Sequence, residues 1–150
     1  MKAIPFVLFI LFFVNCDRGG PLLLKDNESG GVIEIDGIRV ETRMTTMGNI
    51  SVSLYMKFIL EQECDLYLDS LKIFYMKNPL VYERMWLNGK IISTADKVTL
   101  NKGESRISYG FYLGKIKKGD EFFIFADNYI QKNEKYFSID TLEYIVPRNF

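Results

Sequence analysis

From residue 31 onward, apolar and polar positions alternate with a period of two. The clearest run covers residues 50 to 60. There Ile50, Val52, Leu54, Met56, Phe58 and Leu60 alternate with Ser51, Ser53, Tyr55, Lys57 and Ile59. A helix would scatter the first set around its circumference, whereas a strand gathers it on one face. The run therefore predicts a half-buried antiparallel strand. Tyr55 and Ile59 on its polar face imply partial cover near that end.

Neighbouring stretches repeat the pattern. Residues 32 to 36 and 38 to 45 predict two strands around a turn at Asp36-Gly37, with Ile38, Val40, Thr42 and Met44 on one face. Met47-Gly48-Asn49 is the next turn signal, and residues 61 to 65 form a polar loop. Residues 66 to 75 are strand-like, but the apolar set changes face near Asp69-Ser70, which predicts a bulge or kink. Lys77-Asn78-Pro79 predicts a break, because proline cannot donate to a ladder. Residues 80 to 87 and 90 to 93 flank Asn88-Gly89. That dipeptide suits a type I′ hairpin turn, which requires positive φ at both central positions. Further strands are expected at 97 to 100, at 107 to 113, at 121 to 126 and at 135 to 146. Turns are expected at 101 to 104 and 117 to 120, and a loop at Asp127-Asn128. The stretch 121 to 126 is apolar on both faces, as suits a central, covered strand.

Short strands with turn signals every eight to twelve residues predict an all-β fold. The leading architecture is an immunoglobulin-like or fibronectin-like antiparallel β-sandwich spanning residues 32–150.

The first sixteen residues follow a different rule. Lys2 supplies a positive start, and residues 3 to 14 are apolar apart from Pro5. Asn15-Cys16-Asp17-Arg18-Gly19-Gly20 then forms a polar break. A basic start, a short apolar run and a polar exit match a secretory signal. The run is shorter than the roughly 20 residues that a membrane-spanning helix needs. Its exit, Phe13-Val14-Asn15-Cys16, resembles the lipobox of bacterial lipoproteins, although Phe13 stands where Leu is common and Asn15 where Gly or Ala is common. The resemblance implies cleavage between Asn15 and Cys16. It also implies a diacylglyceryl thioether on Cys16 with an N-acyl chain on the new amino group, and so a bilayer partner at the bacterial cell envelope. The expected organisation is a signal peptide at 1–15, a lipidated cysteine and flexible tether at 16–31, and the sandwich. Within the tether, Leu22-Leu23-Leu24 is expected to form a short edge strand or to lie near the bilayer. The alternative for Cys16 is a disulfide with Cys64, the chain's other cysteine.

Composition narrows the chemistry further. The chain is 48% hydrophobic and 25% charged, which suits one globular domain rather than extended disorder. Lysine plus arginine and aspartate plus glutamate balance at 19 each. No basic excess favours nucleic acid. Histidine is absent, which excludes Ser-His-Asp and Cys-His catalysis and His-ligated zinc. No nucleophile-elbow, Ser-x-x-Lys or phosphate-loop motif occurs. The acidic group Glu61, Glu63, Asp65 and Asp69 lacks calcium-loop spacing and reads as solvated. No catalytic residue, metal site or cofactor is therefore expected. Cys64, beside acids in a loop, is expected to be an unreactive thiol.

Aromatic residues remain as candidates for recognition. Trp86 sits beside the predicted hairpin, and Tyr82, four residues earlier, would share its strand face with Arg84 between them. Exposed there, Trp86 and Tyr82 would bind a sugar ring or a protein partner. The competing and favoured reading is that Trp86 belongs to the core. Together these features point to a non-enzymatic envelope lipoprotein with a binding or structural role toward an envelope protein or glycan. A carbohydrate-binding accessory module, or an immunity or inhibitor lipoprotein for a toxin or hydrolase, are the alternatives.

Overall fold

A computed structural model describes residues 22–23, 25–26, 31–47, 50–92 and 96–146. Fourteen strands follow one another in those residues. They are β1 (Leu22–Leu23), β2 (Lys25–Asp26), β3 (Val32–Ile35), β4 (Ile38–Met47), β5 (Ser51–Leu60), β6 (Cys64–Tyr67) and β7 (Leu71–Tyr75). The chain continues with β8 (Asn78–Leu80), β9 (Arg84–Leu87), β10 (Lys90–Ile92), β11 (Lys97–Leu100), β12 (Gly103–Tyr112), β13 (Glu121–Lys132) and β14 (Lys135–Ile145).

The strands form two antiparallel sheets. The first has the order β1-β4-β5-β12-β9-β10, with β3 beside β1 on the same edge of β4. The second has the order β11-β6-β13-β14-β2; β7 pairs with a further stretch of β13, and β8 lies outside β7. The all-β sandwich expected from the alternation is the observed fold, and its two antiparallel layers are consistent with an immunoglobulin-like arrangement.

Alternation builds the core directly. Val52, Leu54, Met56, Phe58 and Leu60 of β5 point inward and are buried. So do Ile107, Tyr109 and Phe111 of β12, and Phe122, Ile124 and Ala126 of β13. Each large side chain removed from water in this way contributes roughly 1.5–3 kcal/mol before entropy is charged against it. Hydroxyl contacts cross between the layers. Tyr109 and Tyr129 meet at 3.0 Å, and Thr42 meets Tyr144 at 2.5 Å.

The face change near Asp69-Ser70 is a 3-10 turn, Leu68–Ser70, which joins β6 to β7. Both flanking strands pair with β13. The strand expected at residues 121 to 126 is thus central, as its double-faced apolar pattern required. Asn88 and Gly89 have φ values of 49° and 80°, which is the predicted type I′ geometry.

Several expected boundaries shift. Residues 80 to 87 do not form one strand. β8 ends at Leu80 in the second sheet, residues 81–83 cross over, and β9 begins at Arg84 in the first. Pro79 lies within β8, where an edge strand spares its missing N–H. The actual turn precedes it at Met76 and Lys77, both with positive φ. Asp127 and Asn128 belong to β13, at a register irregularity where Asn128 has φ 52°. Ile50 lies just outside β5 and is 44% exposed. Leu113 falls beyond β12, and the expected turn at residues 101 to 104 ends early because β12 begins at Gly103.

Part of the expected tether carries structure. Leu22 and Leu23 pair with Thr46 and Thr45 on the first sheet. Lys25 and Asp26 pair with Ile145 and Tyr144 on the second. One short segment therefore joins the edges of both layers. The leader with Asn15 and Cys16, and the turn residues Gly48 and Asn49, lie outside the described residues.

Candidate functional site

Side chains on the outer face of the first sheet line up because the register of its strands is continuous. Arg43 of β4 stands opposite Tyr55 of β5, Tyr55 opposite Ser108 of β12, Ser108 opposite Trp86 of β9, and Trp86 opposite Ile91 of β10. This row crosses five strands at mid-sheet. Inward-facing Leu54, Met56 and Met85 flank it in sequence, so strand parity sends Tyr55 and Trp86 outward.

Each member has a defined setting. The Arg43 guanidinium lies 5.7 Å from the centre of the Tyr55 ring, and Tyr55 remains 40% exposed. Ser108 is small and leaves a low point between Tyr55 and Trp86. The two aromatics are two strands apart, about 10 Å between backbone positions. The Trp86 indole leans along the sheet over Gly110. A Cβ added at Gly110 would meet indole carbons Cζ3 and Cη2 at 3.2 Å. The absence of a side chain at Gly110 therefore lets the indole lie low on the sheet, partly buried. Ile91 closes the row at 67% exposure.

A charged row lies beside the aromatic one. Lys57 reaches Glu41 at 3.6 Å and Glu104 at 3.3 Å, and Arg106 contacts Glu104 at 2.6 Å. The guanidinium of Arg106 and then the Lys57 ammonium hold the Glu104 carboxyl below its ordinary range. These groups, Tyr55 and the Asn88-Gly89 turn line a shallow depression of about 960 Å³. Such exposed pairs contribute little stability individually. Here they fix the side chains that border the aromatic row. The arrangement offers stacking surfaces and alternating charge.

The two candidate aromatics do not act together. Tyr82 lies in the crossover before β9, and its ring packs edge-on against core residue Tyr109 at 5.4 Å. Trp86 points to the opposite side of the first sheet. The shared face expected for them required one continuous strand, which the crossover removes. Trp86 also leaves the core to which the favoured reading assigned it. Tyr55 replaces Tyr82 as its partner on the surface. Parity alone marked Tyr55 as outward-facing, but its alignment with Trp86 depends on strand order, which no local pattern encodes.

Cys64 is the first residue of β6 rather than a loop residue, and it is a free, buried thiol. Burial, followed by the charge of Asp65, pushes its pKa up to about 11. Asp65 accepts hydrogen bonds from Thr99 at 2.6 Å and Lys97 at 2.9 Å. These bonds lower its pKa, the Thr99 bond most. Glu61, Glu63 and Asp69 are exposed. Among the described residues, no three acidic or cysteine side chains converge on a metal-sized site.

No family model, curated protein or solved structure matches the chain.

Proposed function

We propose that this chain is a lipid-anchored, non-enzymatic binding module of the bacterial envelope, whose recognition surface is the outer face of its first sheet. The observation that carries the reading is the row Arg43-Tyr55-Ser108-Trp86-Ile91, a partly apolar strip bordered by paired charges. Burying a large aromatic anchor in a surface of this kind is the usual source of binding energy. Cys16, directly after the apolar leader, supports the anchor.

Within this reading, a glycan ligand is favoured by the low-lying indole of Trp86 over Gly110. A flat aromatic face stacks on the apolar face of a sugar ring, and nearby charged and hydroxyl groups serve its hydroxyls.

Trp86 is the chain's single tryptophan, so its emission reports directly on the site. Titration with solubilised envelope glycans is expected to give a saturable emission change that Tyr55→Ala weakens. No saturable change with such glycans rejects the glycan ligand. Turnover of an added polymer rejects the non-enzymatic assignment. Mass spectrometry of the mature N-terminus tests the anchor separately, and an unacylated Cys16 rejects it.

A further inference from the structure

The end of the sandwich where the anchor segment enters carries a second surface. β1 runs antiparallel to β4, with Leu22 opposite Thr46, one residue from the end of that strand. β2 likewise runs antiparallel to β14, with Lys25 opposite its last residue, Ile145. Both short strands therefore lead away from the same end of the domain. That end also holds the starts of β5 and β13, the end of β12 and the Met76-Lys77 turn. Resting on the reading that Cys16 carries lipid, the six residues from Cys16 to Leu22 extend at most about 20 Å. The domain is then held close to the bilayer with this end toward it.

The side chains there match that position. Ile50, Met76 and Tyr112 are 44%, 47% and 61% exposed. Lys77, Lys115, Lys117 and Lys118 are exposed around them. Glu121, the first residue of β13, is exposed at the same end, while Asp120 is buried. Asp120 is engaged instead by the Tyr75 hydroxyl and by the backbone N–H of Lys117, the latter at 2.7 Å. Ile116 is buried to 2%, and Gly119 donates to the Val146 carbonyl at 3.0 Å. The lysine loop is thus fastened to the core and presents its cations outward. The opposite end is of mixed charge, with exposed Glu61, Glu63 and Glu134 beside Lys102 and Lys135.

We infer that this end of the sandwich docks onto an anionic phospholipid leaflet. Lys77, Lys115, Lys117 and Lys118 meet the headgroup phosphates, and Ile50, Met76 and Tyr112 enter the interfacial layer. Cations near an anionic surface and a partly apolar aromatic at headgroup depth are the two elements of such contact. Docking here leaves the Trp86 row facing sideways, clear of the bilayer.

The test uses the full lipidated chain, spin-labelled at Lys118→Cys or, beside the mid-sheet aromatic row, Lys90→Cys. It is reconstituted in phosphatidylcholine vesicles with or without phosphatidylglycerol. In anionic vesicles the label at 118 is expected to favour collisions with oxygen over a water-soluble nickel chelate. The label at 90 is expected to show the reverse. Each lysine reversed to glutamate is expected to weaken the contact at least about five-fold. The Lys77→Glu, Lys115→Glu, Lys117→Glu variant should therefore still float with vesicles while its label at 118 becomes water-exposed. Equal readings at 118 and 90, or contact that survives the charge reversal, overturn the docking. Failure to float together with an unmodified Cys16 overturns the anchor reading and the docking with it.

Discussion

The Tyr109–Tyr129 contact offers a sharp test of how the two layers are joined. Both rings are fully buried, and their hydroxyls lie 3.0 Å apart across the core. Tyr129 also has the Met56 sulfur 3.8 Å from its hydroxyl, a weak acceptor. Tyr129→Phe removes the partner of the Tyr109 hydroxyl and leaves that group buried and unpaired. The desolvation cost of such a group is about 1–3 kcal/mol, and we expect about 2 here. Tyr109→Phe should cost about 1 kcal/mol, because Tyr129 can still turn its proton toward Met56. The double variant leaves neither hydroxyl behind. It should lose about 1–2 kcal/mol in total, well short of the sum of the single losses. For a domain of this size, 2 kcal/mol corresponds to a fall in Tm of roughly 6–10 °C. Urea unfolding followed by far-ultraviolet circular dichroism, run as a double-mutant cycle, supplies the numbers. Strict additivity, or a Tyr109→Phe variant less stable than Tyr129→Phe, would refute the reasoning.

Other outcomes follow from single groups. Cys64 has a raised folded-state pKa of about 11, so its unfolded form ionises first as pH rises. Its contribution is complete below the ordinary thiol value and disappears between about pH 9 and 11, with a ceiling of about 2–3 kcal/mol. In pH-dependent unfolding, Cys64→Ala should delay the alkaline loss to about pH 10, where tyrosines begin to titrate in the unfolded chain; an unchanged profile would count against a buried thiol. Thr46 Oγ1 is buried without a hydrogen-bond partner among the described residues. Thr46→Val should therefore raise stability by about 1 kcal/mol in urea melts, and a loss would reveal a missing partner. Gly89 has φ 80° at the second position of its turn. Gly89→Ala should cost about 1 kcal/mol in the same assay, and a neutral result would argue against the type I′ turn.

Strand parity was legible because it is local. The alternation of Val52, Leu54, Met56, Phe58 and Leu60 requires only that one face of β5 be buried, and all of them are. Asn88-Gly89 was equally legible, since its turn geometry depends on two residues. Met76-Lys77 was not, because neither residue favours positive φ and the surrounding ladder imposes it. The bulge at Asn128 was missed for a related reason. Asp and Asn often mark loops, but here the pairing partners on both sides of β13 carry the strand through them.

The sequence by itself determined the all-β class, the inward and outward faces of β5, and the Asn88-Gly89 turn. All of these depend on residues near one another in the chain. Strand order belongs to the tertiary structure, because hydrogen-bonding partners such as Tyr55 and Ser108 are far apart in sequence and the backbone groups that join them are the same everywhere. That order packed the partly buried Tyr82 against the core and left Trp86 on the outer face of the first sheet. It aligned Trp86 with Tyr55, and it brought Lys77 to the same end as the loop of Lys115, Lys117 and Lys118. The aromatic residues were visible from the start, but only assembly of the two sheets decided which of them face solvent together.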